Sequence, residues 1–320
     1  MKKLVAYTQN LIDGHRAAIR STAGAHGYEA VFCDSLDAAL AQAPDAEILF
    51  SHDAALLPVA RSLKWMCVSF AGVEPFLDPS AYASPGAILT NSSGAYGVTI
   101  AEHIVMVAIA MMRRQPEYDR ILARREWRRD LVIRSIRGSR ITLLGTGDIG
   151  RETAMRLRAF APESITGVNR SGRDAGPLFD RTLPVSELDD VLPETDLLVM
   201  SLPGTPATNG LMDRRRLALL PKDAFLVNVG RGNAVDEAAL VELMQGGHLG
   251  GAALDVFSVE PLPKDHPLWD CPRVLITSHT AGNMTLGYTV DRIVEMFLED
   301  FENYCAGRPM AHMVDRALGY

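Results

Sequence analysis

The chain has 320 residues, of which 48% are hydrophobic and 22% charged, and its formal net charge is −7. That length suits two ordinary domains better than one core, and the composition is that of a globular protein rather than a disordered or fibrous one. The acidic balance argues against a surface built to neutralise the phosphates of a nucleic acid.

The N-terminus opens on Met1-Lys2-Lys3, but the apolar run that follows, Leu4 to Tyr7, is too short for a signal peptide and reads as a first β-strand. Further short apolar runs at Ile48–Phe50, Trp65–Phe70 and Ala87–Thr90 continue a first series of strands. The segment Ile100–Met112 has helical spacing, and Met106, Val107 and Ile109 make its second face apolar too, which predicts a helix buried between domains or against another subunit. It is well short of the roughly 20 residues that cross a bilayer, so no membrane span is expected. The basic cluster Arg124-Arg125-Glu126-Trp127-Arg128-Arg129 fits a solvated or subunit-contacting face better than a nucleic-acid patch in so acidic a chain.

A second series of strands follows, at Ile141–Leu144, Ile165–Val168, Leu197–Met200, Phe225–Val227, Ala252–Leu254 and Val274–Ile276. Most of these runs are wholly apolar, as parallel strands covered on both faces must be. Six of them suffice for a doubly wound dinucleotide-binding sheet. The fold class expected is α/β, with a helix over Val290–Tyr304 closing the chain before Gly307 and Pro309. The four cysteines, Cys33, Cys67, Cys271 and Cys305, form no C-x-x-C pair and read as reduced thiols of a cytoplasmic protein, with no metal site.

Ile141–Leu144 runs straight into Gly145-Thr146-Gly147-Asp148-Ile149-Gly150, a G-x-G-x-x-G sequence followed by helix formers. Gly145 permits the tight turn and Gly147 lets backbone approach a pyrophosphate. Gly150 brings helix against strand, and the helix N-terminus offers free N–H groups. The next strand ends in Asn169, where an acid commonly binds the adenosine ribose, and Arg170, Ser171, Gly172 and Arg173 follow. An aspartate at 169 would repel a 2′-phosphate, whereas Arg170 or Arg173 offers a fork of donors and Ser171 a hydroxyl. The reading favours NADP(H), with NAD(H) as the alternative if the two arginines are ordinary loop charges.

Three polar residues stand after strands of the second series: Arg231, Glu260 and His279. In an open parallel sheet the carboxyl ends of the strands line the ligand crevice. Reduction of a 2-keto acid needs a cation for the carboxylate, which suits Arg231, and a proton for the carbonyl oxygen, which suits a histidine. It also needs a carboxylate to orient the imidazole, which suits Glu260. Singly each has a plain alternative, a surface charge, a helix-capping acid or a loop histidine; their order and their places at strand ends join them.

From Ala101-Glu102-His103 to Asn283 the chain resembles the D-isomer-specific 2-hydroxyacid dehydrogenases, a family that includes glyoxylate/hydroxypyruvate reductases, phosphoglycerate dehydrogenases and D-lactate dehydrogenases. The resemblance rests on the glycine fingerprint, on Leu202-Pro203-Gly204-Thr205-Pro206-Ala207-Thr208-Asn209-Gly210-Leu211, and on Asn228-Val229-Gly230-Arg231-Gly232. It continues through Ala253-Leu254-Asp255-Val256-Phe257, Glu260-Pro261-Leu262 and His279-Thr280-Ala281-Gly282; the first hundred residues match more loosely. It implies Arg231, Glu260 and His279 as the catalytic set acting on a D-2-hydroxy acid. It implies that Ala71, Gly72 and Val73 bring backbone amides to the substrate carboxylate. On the cofactor it places Asp148 and Ile149 near the pyrophosphate, Pro203 and Thr208 on the adenosine side, and Val229, Arg231, Asp255, His279 and Gly282 at the nicotinamide end. It further implies two doubly wound parallel-sheet domains: a Rossmann cofactor domain over 99–287, inserted in a smaller flavodoxin-like substrate domain of residues 1–98 and 288–320. The apolar helix after Ala101 then belongs at a homodimer interface.

Ser278 stands where the family usually has proline, and Gly230 where alanine, serine or cysteine is common; neither removes a functional group. Glu260 argues against formate dehydrogenase, which carries glutamine there. His103 reads as buried support. An amino-acid dehydrogenase is disfavoured because no lysine stands among the strand-end motifs, and the rival from another class is a cofactor-sensing scaffold or corepressor with little turnover. Phe70, Val73, Glu74, Tyr96 and Trp269 are candidates to shape the substrate pocket.

Overall fold

The computed structural model describes all 320 residues, Met1 to Tyr320. The chain divides into two compact units, the first made of Met1–Tyr96 with Met284–Tyr320 and the second of Gly97–Asn283.

The first unit is built on five parallel strands, β1 (Lys2–Tyr7), β2 (Tyr28–Phe32), β3 (Ile48–Ser51), β4 (Trp65–Val68) and β5 (Ile88–Thr90), in the order β2-β1-β3-β4-β5. The central β3 and β4 are buried along their whole length, as their almost wholly apolar sequences require. Strand β2 is absent from the sequence-based expectation. It lies at an edge, where only Tyr28 is buried, Glu29 faces solvent and the short apolar run Ala30-Val31-Phe32 is only partly covered. Helices α1 (Asp13–Ala25) and α2 (Leu36–Gln42) belong to this unit, the second capped by the Ser35 hydroxyl, which accepts from Ala38 N–H.

The C-terminal helix, Gly287–Cys305, completes the unit. Its Phe297 ring stacks on Phe50 of β3 at 4.3 Å and on Trp65 of β4 at 5.4 Å. From within the helix, the buried carboxylate of Asp300 accepts the N–H of Ala311 at 2.7 Å and meets His312 Nδ1 at 3.0 Å. The tail so held runs along β5, with Val314 N–H donating to Leu89 O at 2.9 Å and Asn91 N–H to His312 O at 3.2 Å.

The second unit holds seven parallel strands: β6 (Arg140–Leu144), β7 (Ser164–Asn169), β8 (Arg181–Pro184), β9 (Leu197–Met200), β10 (Phe225–Asn228), β11 (Gly251–Leu254) and β12 (Val274–Ile276). Their order is β12-β11-β10-β9-β6-β7-β8. The chain winds outward from β6 to β8, then returns to β9 on the other side of β6, and at such a reversal the loops leaving the carboxyl ends open a crevice. The sequence predicted six strands; the seventh, β8, is again an edge, with no fully buried residue and a terminal proline.

Helix α3 (Gly97–Met112) has one buried face and one open face within the chain. Ile100, Ala101, Ile104, Val107, Ala108, Met111 and Met112 form its buried stripe, while Glu102 is exposed and Met106 is 56% exposed. It is followed by α4 (Gln115–Ala123), and it packs along α5 (Asp148–Arg158). All four cysteines are free, and no helix is long and apolar enough to cross a membrane.

Because Phe297 fills the space between two rings, Phe297→Ala is expected to lower the unfolding free energy of the first unit by about 3–5 kcal/mol. A urea titration followed by tryptophan fluorescence checks this; an unchanged midpoint would contradict the role of the stack.

Candidate active site

At the carboxyl end of β6 the chain enters the glycine loop. Gly145 has φ +106°, and a Cβ there would come within 2.8 Å of Ser201 Oγ, so the turn excludes other residues on two counts. A Cβ on Gly150 would lie 2.1 Å from the Gly145 carbonyl oxygen, which is how closely α5 approaches the turn. A Cβ on Gly147, by contrast, would meet no protein atom within 4 Å, and Gly147 caps α5 with no side-chain bond to its first amides. The close-packed first and third glycines and the open second one fit a pyrophosphate at the helix N-terminus. The Asp148 carboxylate lies against Gly97 of α3, where a Cβ would be 2.3 Å from Oδ2.

At the end of β7, Asn169 is engaged on every side. Its Oδ1 accepts from the N–H groups of Ser171 and Gly172 at 3.1 and 2.7 Å. Its Nδ2 donates to Thr146 Oγ1 at 3.1 Å and to Arg173 O at 2.8 Å. Arg170, Ser171 and Arg173 are exposed. After β9, the Thr208 hydroxyl closes its own loop, donating to Pro203 O at 2.7 Å while the Thr205 N–H donates to it at 3.0 Å.

Arg231, Glu260 and His279 follow β10, β11 and β12, three neighbours in the sheet. After β10, the buried Asn228 shapes the turn: its Oδ1 accepts Gly230 N–H at 3.1 Å and its Nδ2 donates to Arg231 O at 2.9 Å. Arg231 is half-buried, and its Nη1 donates to Gly230 O at 2.8 Å. A Cβ on Gly230 would lie 2.7 Å from the backbone of Leu202, so the glycine at this departure from the family pattern is demanded by the loop after β9. A Cβ on Gly232 would come within 1.9 Å of the Phe257 carbonyl carbon, so the Arg231 loop lies directly on the loop that carries Glu260.

Glu260 divides its carboxylate. Oε1 accepts the Phe257 N–H at 2.9 Å, and Oε2 meets His279 Nδ1 at 2.8 Å. The side chains of His279 and Glu260 are 51% and 35% exposed, so the imidazole remains open to a ligand. His279 sits at φ +55°, a left-handed conformation that non-glycine residues seldom adopt. Asp255, 2% exposed, holds it there. Its carbonyl accepts the His279 N–H at 2.8 Å, Oδ1 accepts Thr277 Oγ1–H at 2.6 Å and Thr280 N–H at 2.9 Å, and Oδ2 accepts Ala281 N–H at 3.0 Å. Half-buried His103 of α3 belongs to the same surroundings: burial favours its neutral ring and pushes the imidazole below the usual histidine range, while the Asp255 carboxylate pulls the other way.

In the first unit, the segment after β4 is braced from behind. Asn91 Nδ2 donates to Ala71 O at 2.8 Å, Ser92 N–H to Phe70 O at 3.0 Å, and the Tyr96 hydroxyl to Ser69 O at 2.8 Å. The N–H groups of Ala71, Gly72 and Val73 donate to no acceptor of the protein. The sequence gives roles to Arg231, Glu260 and His279, whereas Asn228 and Gly232 stand there only as motif residues; their part in setting the loops emerges from the hydrogen bonds and steric contacts of the turn, for which the glycine directly after Arg231 was the available signal.

The protein-family model for "D-isomer specific 2-hydroxyacid dehydrogenase, NAD binding domain" matches residues 105–281. A D-3-phosphoglycerate dehydrogenase of Mycobacterium bovis is 32% identical over 254 residues, 77% of this chain, and the matched region spans 47% of that longer protein. A crystal structure of a D-isomer-specific 2-hydroxyacid dehydrogenase family protein from Aeromonas salmonicida superposes with a TM-score of 0.86 at 30% identity, covering 98% of this chain and 99% of that one. The NADPH-dependent glyoxylate/hydroxypyruvate reductase of Sinorhizobium meliloti, solved with NADP and sulfate, gives 0.83 at 26% identity and covers 100% of both chains.

Gly232→Ala forces the Phe257 backbone aside, so it is expected to cost about 1–3 kcal/mol of stability, the range of an overpacked core. Chemical denaturation measures this, and a loss near zero would mean the two loops are not in contact.

Proposed function

The chain belongs to the D-isomer-specific 2-hydroxyacid dehydrogenases, and from that membership we propose that it reduces a small 2-keto acid to the D-2-hydroxy acid, and runs the reverse oxidation, with NADP(H) as preferred cofactor. The observation that carries this is the exposed His279 imidazole, fixed by Glu260 at 2.8 Å at the carboxyl edge of the sheet beside the Arg231 loop. With Nδ1 committed to Glu260, Nε2 is the nitrogen that gives its proton to the carbonyl oxygen of the keto acid, and takes it back in the oxidation. The Glu260 carboxylate holds Nδ1 and so sets the plane of the ring. Arg231 presents a guanidinium to the substrate carboxylate, for which a fork of donors is the fitting partner. The amides of Ala71, Gly72 and Val73 are suited to the same kind of group. Glyoxylate and hydroxypyruvate are the first substrates to try.

The bound nicotinamide cofactor supplies the hydride. We assign its pyrophosphate to the amides at the start of α5, among them those of Asp148 and Ile149, beside Gly145, Gly147 and Gly150. Pro203 and Thr208 take the adenosine side, and Val229, Asp255, His279 and Gly282 the nicotinamide end, where Asp255 Oδ2 accepts only one loop N–H. Arg170, Ser171 and Arg173 support NADP(H), because each is exposed where a 2′-phosphate would lie and no carboxylate follows β7 directly.

A homodimer is proposed from the exposed apolar side chains along α3, α4 and the segment that follows: Met106, Leu122, Trp127, Val132 and Ile133, with Trp127 83% exposed. So much apolar surface outside a core marks an interface. A second copy of this chain is its partner in this reading, and Leu122→Asp with Trp127→Asp is expected to halve the mass seen in sedimentation; an unaltered mass would reject that surface.

Steady-state oxidation of NADPH across 2-keto acids of graded size tests the activity. Turnover with at least one, and a kcat/KM for NADPH above that for NADH, is the expected result; tight NADPH binding with no turnover would make the chain a cofactor sensor instead. His279→Ala is expected to lower kcat by about 10²–10⁴-fold while leaving NADPH affinity nearly intact, since general acid–base catalysis contributes on that scale. Arg231→Lys is expected to raise KM for the keto acid and lower kcat together, because a point charge does not reproduce the fork. An unchanged KM would remove Arg231 from the substrate.

A further inference from the structure

The geometry points to Asn169 as a residue that sets cofactor choice without touching the cofactor: its side chain folds Arg170–Arg173 into a fixed turn and ties that turn to the glycine loop. The inference rests on the NADP(H) reading above and names the positioning residue behind it.

An asparagine side chain offers a carbonyl that accepts two hydrogen bonds and an amide that donates two. All four are made. Oδ1 takes the N–H groups of Ser171 and Gly172, at 3.1 and 2.7 Å, which closes the turn from inside. Nδ2 gives one proton to the Arg173 carbonyl at 2.8 Å, fixing the far end of the turn, and the other to Thr146 Oγ1 at 3.1 Å. Thr146 lies between Gly145 and Gly147, so one side chain joins the two loops proposed for the pyrophosphate and the 2′-phosphate.

Neither anchor has room to drift. A Cβ on Gly167 of β7 would be 2.7 Å from the Thr146 methyl group, so the threonine is pressed onto the sheet with its hydroxyl toward Asn169. Gly172, at φ +70°, would place a Cβ 2.8 Å from the Pro184 ring of β8, which pins the turn on its other side. With the Ser171 and Gly172 amides already used, a phosphate dianion must be met by side chains, and those of Arg170, Ser171 and Arg173 are the exposed ones. Arginine side chains lose much rotamer freedom on binding, so a backbone fixed beforehand raises what they contribute. An aspartate at 169 would still accept the two N–H groups, but it would set an oxygen against the Arg173 carbonyl. It would therefore oppose a 2′-phosphate by loosening the turn as well as by charge.

The test is calorimetric binding of adenosine 2′,5′-bisphosphate and of 5′-AMP to the full chain, read as the ratio of the two affinities, with amide hydrogen exchange of the free protein alongside. Asn169→Ala removes all four bonds and adds no charge; it is expected to lower the ratio about tenfold, on the scale of one or two lost hydrogen bonds, and to speed exchange at Ser171 and Gly172. Thr146→Val, a milder change that removes only the link to the glycine loop, is expected to lower the ratio about threefold. In an Arg170→Ala/Arg173→Ala background, Asn169→Ala is expected to change the ratio much less, because the turn then has no guanidinium to present. Equal affinities in the unaltered chain would overturn the NADP(H) reading and this inference together. A preference that the arginine pair controls but Asn169→Ala leaves intact would overturn the inference alone. So would unchanged exchange at Ser171 and Gly172, or an undiminished effect of Asn169→Ala in the arginine-free background, which would mean that the amide meets the nucleotide directly.

Discussion

The carboxyl edge of the second sheet depends on one buried charge. Asp255 is almost wholly removed from solvent, and a carboxylate so placed is costly unless donors surround it. The loop after β12 supplies them: a threonine hydroxyl and two consecutive amides bind its oxygens, and its carbonyl takes the amide of His279. The dependence runs both ways. A left-handed backbone at a non-glycine residue costs of order 1–3 kcal/mol and persists only where neighbouring bonds over-determine it. Asp255 provides those bonds, and the imidazole so aimed is the one that Glu260 holds.

The remaining loops are fixed by the same device, a polar side chain that closes its own turn: Asn228 behind Arg231, Thr208 in the segment after β9, Asn169 after β7. Each satisfies backbone groups that no strand or helix can reach. Glycines do the complementary work where turns touch, at Gly230 against Leu202 and Gly232 against Phe257. Arg231, Glu260 and His279 thus rest on loops that brace one another through backbone, and side-chain precision is inherited from that contact.

What could be read in the sequence follows from this division. Runs such as Leu197–Met200 and Phe225–Val227 announce themselves because a central parallel strand is apolar on both faces, and the glycine fingerprint does so because its spacing is its geometry. Edge strands β2 and β8 hide, since solvent on one side permits Glu29 and Arg181 and shortens the apolar stretch. Helix α3 is read only in part: Met106 is apolar yet exposed within the chain, and composition does not distinguish a core from a surface that meets a partner. The three polar residues of the site were visible from their positions at strand ends. The side chains that hold their loops were not, because a bond from Asn228 or Asn169 to nearby backbone depends on an angle that residue order leaves open.

The first unit draws its sheet from one end of the chain and its closing helix from the other. During synthesis the ribosome therefore releases β1 to β5 long before Phe297 exists to cover Phe50 and Trp65, and the whole of the second unit emerges in between. Domains generally fold as units once their segments are available. The nucleotide-binding unit can then mature while its neighbour still waits, open-faced, for its last helix, and that interval is when chaperones would find the nascent polypeptide most exposed.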